Sequence, residues 1–155
     1  MKQINKEQAL TRLAAYCSRG ERCKQDIQKK LDLWKLSPQE QNEIIQTLQK
    51  GRFLNEDRYA KAFVRDKSRF NGWGGYKIRM ELKKKNITEE TINEALSEID
   101  PEESIRQLSE LLKKKSKTIK AESDWETKQK LMRFAVGRGF SLDQVEKALR
   151  VSPFM

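Results

Sequence analysis

The sequence predicts an all-α fold, an elongated, curved array of three tandem three-helix repeats. Segments of one plan recur along the chain: a helix, a connection, a second helix, one apolar residue, then a polar cap and a further helix. Apolar residues make up 36% of the chain and charged residues another 36%, which suits thin helical layers better than a thick buried sheet. We expect the repeats at residues 5–53, 54–100 and 101–151.

Helix start and stop signals place the first repeat. Asn5 can cap a first helix that ends near Gly20, and a second helix begins around Lys24. Ser37 is followed by proline and, at the third helical position, by glutamate, a pattern that predicts the start of a third helix. That helix is expected to end at Gly51.

The same signals recur in the two following repeats. Asn55 caps a helix with an acidic first turn, Ile78 lies on the next helix, and Thr88 starts the third. Asp100 precedes a proline and can cap the first helix of the last repeat, in which Ser141 starts the final helix.

The second and third repeats align without a gap. Residues Ile78 to Leu96 match Leu131 to Leu149 at a constant offset of 53 positions. Ile87 and Ile92 stand where a hydrophobic staple fixes the entry of the chain into a helix. The first repeat matches less closely, because it has the polar Gln41 at the second staple position and its third helix is expected to be about three residues longer.

The charge of the chain points to an anionic partner. Lys and Arg outnumber Asp and Glu by 33 to 23, a formal net charge of +10. Nucleic acid or an acidic protein surface is the natural partner of such a chain, and the alternative is a basic surface that only maintains solubility.

Several classes of protein are disfavoured. No apolar run approaches the roughly 20 residues that span a bilayer, so we expect no membrane partner. The amino terminus lacks a signal-peptide apolar region, so we expect a cytoplasmic protein. The chain has no His, and Cys17 and Cys23 are its only cysteines, so we expect reduced thiols and no metal site. Without His or a glycine-rich phosphate loop, we expect no enzyme and no cofactor.

Basic residues form a candidate binding stripe on the helix after Asn55. Arg58, Lys61, Arg65 and Arg69 recur at i, i+3, i+7 and i+11, opposite the apolar face. Further candidates on and around the next helix are Trp73, Lys77, Arg79, Lys83 and Lys84. The alternative is a solvated face in which Glu81 pairs with Lys77 and Lys85.

A run of lysines, Lys113, Lys114 and Lys115, is the strongest local block of positive charge and another candidate contact. This block, which continues with Lys117 and Lys120, is expected to be a mobile connection, because the segment 116–123 has little apolar periodicity. Trp73 could stack on a nucleobase or anchor a protein, but aromatic residues in such loops also pack against their own helices.

The central repeat resembles the RecX family of regulatory proteins. The resemblance rests on FLNEDRYA at residues 53–60, FVR at residues 63–65, a glycine connection, Ile78 with Glu81-Leu82, and Ile87. Asn55 replaces the acidic residue that is commonest at its position, a conservative change because both residues cap helices. The resemblance extends over nearly the whole chain as three three-helix repeats, and the first half of the third repeat is the most divergent part.

The resemblance implies a non-enzymatic regulator of the RecA recombinase. Proteins of this family associate with RecA filaments on single-stranded DNA and inhibit ATP hydrolysis, strand exchange and filament growth. It further implies a monomer whose partners are the RecA filament and single-stranded DNA, contacted directly or through RecA.

Two other functions stay open at this stage. Three-helix units also resemble helix-turn-helix modules, which would make the chain a DNA-binding protein that acts without RecA. Glu89, Glu90, Asp143 and Gln144 stand at the starts of the third helices, where a DNA reader carries Arg, Asn or Gln, and their acidic members would repel phosphate. An adapter for another protein filament is the third possibility.

Overall fold

The structure is a computed structural model that describes residues 3–151 and has nine α-helices and no strand in that range. The helices are α1 (Lys6–Ser18), α2 (Lys24–Leu33), α3 (Pro38–Lys50), α4 (Glu56–Arg69), α5 (Gly75–Lys84), α6 (Glu89–Leu96), α7 (Pro101–Ser116), α8 (Asp124–Gly137) and α9 (Leu142–Val151). The predicted all-α fold of three-helix units is therefore confirmed. Across residues 3–151, no helix has both the length and the apolar character needed to cross a membrane.

Polar side chains close the amino-terminal ends of seven of the nine helices within residues 3–151, and the sequence predicts all of these caps except Ser123. Each accepts a hydrogen bond from a backbone N–H of the first turn, which would otherwise lack a partner. The capping residues with this bond are Asn5, Ser37, Asn55, Thr88, Asp100, Ser123 and Ser141.

The connection between the second and third helices has the same backbone in every unit. Lys35, Asn86 and Gly139 take left-handed conformations, with φ of 58°, 60° and 98°. The next residue in each unit donates its N–H to a carbonyl near the end of the preceding helix, at 3.1 to 3.3 Å. These bonds are typical of a Schellman turn, which redirects the chain and points the following apolar residue toward the core. The apolar residues placed in this way are Leu36, Ile87 and Phe140.

Each unit has its own apolar core. Leu13, Ile27 and Ile44 are fully buried in the first, and Leu108 and Leu131 in the third. The closest helix pairs all lie within one unit. Each core thus rests on local packing, as expected for a repeat array.

In the first unit, hydrogen bonds of the Gln41 side chain replace the apolar staple contact of the other units. Its side chain is buried, and its amide nitrogen donates to the carbonyl of Leu36 at 2.9 Å. Its carbonyl oxygen accepts a hydrogen bond from the side-chain amide of Gln28. Polar contacts therefore connect α2 and α3 where the other units use an apolar pair.

The first and second units share one buried residue and several polar contacts. Cys23, at the start of α2, is fully buried in the core of the second unit beside Tyr59. Asp26 pairs with Lys85 across the junction, with 3.1 Å between Oδ1 and Nζ. Burial raises the pKa of both Cys17 and Cys23, and both thiols are free.

Backbone hydrogen bonds join the second and third units. Gly74 N–H donates to the carbonyl of Arg138 at 2.7 Å, and Tyr76 N–H donates to Gly139 at 3.0 Å. The guanidinium of Arg138 also donates to the carbonyl of Asn71 at 2.7 Å. Within residues 3–151, no hydrogen bond or ion pair joins the first unit to the third, so the units follow one another in a line.

Candidate functional site

Helix α4 carries the basic stripe because its apolar residues face inward. Tyr59, Ala60 and Val64 are buried against α5 and α6. The helical period of 3.6 residues then directs Arg65 and Arg69 to the opposite, exposed side.

Two adjoining surface depressions run from α4 to α7, and we call them together the α4–α7 groove. One has a volume of about 310 Å³ and the other about 500 Å³, and both are lined by Arg69, Glu103 and Gln107. Basic residues of the groove are Lys61, Arg65, Arg69, Arg106, Lys114 and Arg138, and its acidic residues are Glu98, Asp100, Glu103 and Glu110. The groove is therefore mixed in charge with a positive excess.

Some basic side chains of the groove have no acidic partner. Arg65, Arg69 and Lys114 form no ion pair with any carboxylate in the described part of the chain. Arg106, by contrast, pairs with Glu103 at 2.5 Å. The three unpaired cations keep their capacity to contact an anionic group of a partner.

Arg58 and Lys61 belong to the same stripe but contact the protein itself. The guanidinium of Arg58 lies 2.6 Å from Glu21 and donates to the carbonyl of Arg52 at 2.9 Å. Lys61 lies 3.4 Å from Glu98, whose carboxylate raises the pKa of the lysine. These two side chains connect elements of the fold, and the stripe is divided into a paired half and an unpaired half.

The basic residues of α5 are paired within their own unit. Arg79 and Lys83 lie 2.8 Å and 2.6 Å from the carboxylate of Glu89, and the hydrogen bond from Lys83 lowers the pKa of Glu89. Lys84 pairs with Glu81 at 3.1 Å.

Within the alternative of a solvated face, the pairing of Glu81 with Lys77 and Lys85 is wrong, because Glu81 pairs with Lys84. Lys85 instead pairs with Asp26. Asp26 is more buried than Glu81, so its attraction to a lysine is less screened by water. Lys77 instead places its ammonium group 4.6 Å from the centre of the Trp73 ring.

Trp73 packs in the loop before α5 with part of its ring exposed. Its ring centre lies 6.3 Å from that of Phe63, in an edge-to-face arrangement, and a second cation, Lys67, lies 5.0 Å from it. This contact matches the alternative in which the aromatic residue packs against its own helices.

The prediction that the lysine run belongs to a connection is wrong, because Lys113, Lys114 and Lys115 form the last turn of α7, which ends at Ser116. Lys113 and Lys114 are exposed, and Lys114 lines the groove near Arg69. Lys115 lies 5.0 Å from the centre of the Phe134 ring. Cations at this end of a helix are favoured by the helix dipole, a structural reason for the run beside any role in binding.

The groove unites residues from two units, which helical spacing alone does not reveal. Arg69 of the second unit shares the larger depression with Lys114, Arg106 and Arg138 of the third. Arg106 and Arg138 are absent from the candidates that the sequence supplies: Arg106 lies two turns before the lysine run of α7, and Arg138 follows the last residue of α8. Phe70, with 83% of its surface exposed, also lines this depression and carries no signal in the sequence beyond its apolar character.

Within residues 3–151, no cluster of three or more His, Cys, Asp or Glu side chains is arranged to hold a metal ion. The groove offers basic, acidic and amide side chains together with an exposed aromatic ring. Such a surface can bind another macromolecule by ion pairs, hydrogen bonds and apolar contact.

Two domain models match the chain. The model described as RecX, second three-helix domain, matches residues 55–96, and the model described as RecX, third three-helix domain, matches residues 102–149. Together they include most of α4 to α9 and most of the α4–α7 groove; the groove residues Glu98, Ile99 and Asp100 lie between the two matched ranges.

Curated proteins named regulatory protein RecX are similar over most of the chain. The protein of Bacillus cytotoxicus is 29% identical over 143 residues, which are 92% of this chain and 53% of that protein. The protein of Bacillus subtilis strain 168 is 30% identical over 83% of this chain and 48% of its own length. The chain thus spans about half the length of these relatives. In contrast, it covers 96% of the protein of Prosthecochloris aestuarii, at 28% identity over 96% of this chain.

Solved structures share the fold. A crystal structure of regulatory protein RecX superposes with a TM-score of 0.85 at 25% identity, over 94% of this chain and 73% of the other. The crystal structure of RecX from Lactobacillus salivarius superposes with a TM-score of 0.87 over 97% of both chains, and at 20% identity it shows the fold alone.

Proposed function

The chain belongs to the RecX family of regulatory proteins, and from this premise we propose that it binds the RecA filament on single-stranded DNA and restrains it. The α4–α7 groove is the proposed contact. In this proposal the protein has no catalytic activity of its own and acts by occupying surface that the filament needs.

The unpaired guanidinium groups of Arg65 and Arg69 carry the proposal. They project from α4 into a groove whose other walls hold Glu103 and Gln107. The charged groups of DNA are all phosphates of one sign, so acidic side chains in a binding site weaken its contact with DNA. A groove of mixed charge with an exposed Phe70 is better suited to a protein surface, which offers both signs of charge and apolar side chains.

The arrangement of the units suits a filament. In the described part of the chain, residues 3–151, polar contacts join each unit only to the unit before or after it, so that the array presents successive surfaces along one direction. Extended arrays of this kind present long surfaces to extended partners. We infer that successive units bridge neighbouring RecA protomers and that basic side chains on the array face DNA or acidic RecA surface.

Occupation of the filament by this protein would act sterically. A bound array blocks the addition of the next protomer or the approach of a second DNA strand. The first outcome lowers ATP hydrolysis on single-stranded DNA because it limits the number of bound protomers, and either outcome lowers strand exchange without any chemistry by the bound protein.

A DNA-binding protein that acts without RecA is the second candidate, and two observations disfavour it. Glu89, in the first turn of α6, neutralises Arg79 and Lys83. The side chain of Gln144 accepts a hydrogen bond from the N–H of Ser141 at 2.8 Å and so completes a helix cap. The residues at the starts of these helices thus have structural partners, whereas a recognition helix presents free donors to base edges.

The test is the ATPase activity of RecA on single-stranded DNA, measured with the protein added below and at one molecule per RecA protomer. We expect inhibition that rises with this ratio and is complete near stoichiometry. An ATPase rate that stays constant at every ratio would contradict the proposal, and tight binding to a specific duplex in the absence of RecA would favour the second candidate. An adapter for a different filament would bind neither.

A further inference from the structure

We propose that the first unit carries a separate site for single-stranded nucleic acid, formed by α1, α2 and the loop between them. The site, which we call the first-unit cluster, consists of Arg12, Tyr16, Arg19, Arg22, Lys30 and Trp34. It deepens the proposed function, on which its biological role rests, by giving the protein a direct contact with the strand inside the filament.

Three of the four cations of this cluster, Arg12, Arg22 and Lys30, lie against aromatic rings. The guanidinium carbon of Arg22 lies 3.8 Å from the centre of the Tyr16 ring, and Lys30 lies 4.6 Å from the same ring. Arg12 lies 5.9 Å from the ring of Trp34. Cation–π contacts position a positive charge without neutralising it, so these groups remain able to bind an anion.

No carboxylate of the described residues is paired with these charges. The depression between the rings has a volume of about 240 Å³ and is lined by Arg12, Ala15, Tyr16, Arg19, Lys30 and Trp34. None of the four cations forms an ion pair within residues 3–151. By contrast, the α5 residues Arg79, Lys83 and Lys84 each form an ion pair with a glutamate.

The two rings are themselves fixed. Tyr16 and Trp34 are partly buried against the core of the first unit, and the carbonyl of Tyr16 accepts a hydrogen bond from Arg22 at 3.1 Å. Binding therefore requires little ordering of the site, which lowers its entropic cost.

Aromatic walls among unpaired cations favour a single strand over the alternatives. The phosphates of a single strand can bind the cations while an unstacked base packs on the exposed part of Trp34, a contact worth about 1–3 kcal/mol per base in other proteins. A duplex keeps its bases stacked and gains nothing from the rings. An acidic protein segment would satisfy the charges but has no flat base to place against the indole.

The test uses a fluorescently labelled thymidine oligonucleotide without RecA, so that it can fail independently of the proposed function. We expect the variant R12E/R19E to lower affinity by about tenfold or more and to reduce the dependence of log K on log salt by about two contacts. The matched control K50E/R133E makes the same change in net charge at two exposed residues outside the cluster and is expected to change affinity much less. Equal losses in the two variants would overturn the site in favour of a diffuse charge effect.

A second measurement tests the contact of a base with the ring of Trp34. Trp34 becomes the only tryptophan when Trp73 and Trp125 are replaced by Phe, and we expect its fluorescence to be quenched by the oligonucleotide and not by the corresponding duplex. Absence of quenching at saturation, or equal quenching by the duplex, would contradict the stacking contact and with it the proposal. If R12E/R19E left oligonucleotide binding intact but prevented binding to RecA, the cluster would be a protein contact and the inference would be wrong.

Discussion

Gly74 and Gly139 contact each other so closely that neither has room for a side chain. A β-carbon on Gly74 would lie 2.5 Å from the carbonyl carbon and oxygen of Gly139, and one on Gly139 would lie 2.5 Å from the backbone nitrogen of Lys77. Gly139 also has a φ of 98°, a backbone conformation that residues with a β-carbon rarely adopt. This contact, with the two hydrogen bonds beside it, sets the position of the third unit relative to the second.

The first prediction concerns this junction. We expect Gly74→Ala to lower the free energy of unfolding by about 1–3 kcal/mol, because the added methyl group meets backbone atoms that have no space to move. Urea denaturation followed by circular dichroism measures the effect.

Gly137→Ala is the matched control for that change. Gly137 lies at the end of α8, and a β-carbon there meets no atom within 4 Å. Alanine is expected to be neutral or to stabilise by up to about 1 kcal/mol, because it restricts the unfolded chain more than glycine does. Equal stability of the two variants would show that the glycine contact does not set the junction.

The second prediction is a pH dependence at the junction of the first and second units. Burial alone would raise the pKa of Asp26, but hydrogen bonds from Cys23 and Lys85 outweigh it and hold that pKa below the ordinary value of 3.8. The folded pKa is therefore lower than the unfolded one, so the stabilisation is fully present above pH 3.8 and is lost as the pH falls through the folded pKa. The pKa of Lys85 is raised above 10.5, chiefly by its hydrogen bond with Asp26, so its contribution is lost as the pH rises through the folded value.

Asp26→Asn tests this assignment. At pH 7 we expect a loss of about 1–3 kcal/mol, typical of a hydrogen bond between charged groups, and a difference from the wild type that shrinks below pH 3.8. Asp32→Asn on the same helix is the control, because Asp32 is exposed and forms no ion pair with any described residue. A difference between wild type and Asp26→Asn that is constant from pH 7 to pH 2 would contradict the assignment.

Helix positions could be predicted from the sequence because each depends on neighbouring residues. Asn55 and Thr88 cap helices that follow at once, and Ile78 and Leu82 lie on one face at helical spacing. Caps and helical spacing depend on residues that are close together in the chain, so they can be recognised without knowledge of the fold.

The relations between units could not be predicted in this way. Cys23 looks like a residue of the first unit, yet its thiol is buried in the core of the second. Arg58 lies on a regular basic stripe, yet Glu21 and the carbonyl of Arg52 bind it. Arg69 and Lys114 meet in one groove although they are 45 positions apart in the chain. Periodicity reports which face of a helix is exposed, and it contains no information on what another unit brings to that face.

The third prediction separates structural from binding arginines on α4. We expect Arg58→Ala to lower the free energy of unfolding by about 0.5–1 kcal/mol, a modest value because the Arg58 side chain is 43% exposed and its ion pair is screened by solvent. A double-mutant cycle with Glu21→Gln measures the coupling between the two side chains.

Arg65→Ala on the same helix is the control and is expected to change stability by less than about 0.5 kcal/mol, since Arg65 forms no ion pair with any residue in the range 3–151. If the effects of Arg58→Ala and Glu21→Gln are additive, the ion pair between Arg58 and Glu21 contributes nothing to stability. Arg58 would then be a candidate for binding, like Arg65 and Arg69.

The measurement that tests the central claim most directly compares charge reversals in the RecA ATPase assay on single-stranded DNA. We expect R65E/R69E to need about tenfold or more protein than the wild type for half-maximal inhibition, because reversed charges in the α4–α7 groove repel the anionic groups that it contacts. K50E/R133E, with the same net charge and intact groove, is expected to inhibit like the wild type. Inhibition by R65E/R69E that equals that of the control, with both variants folded, would show that the groove is not the contact with the filament.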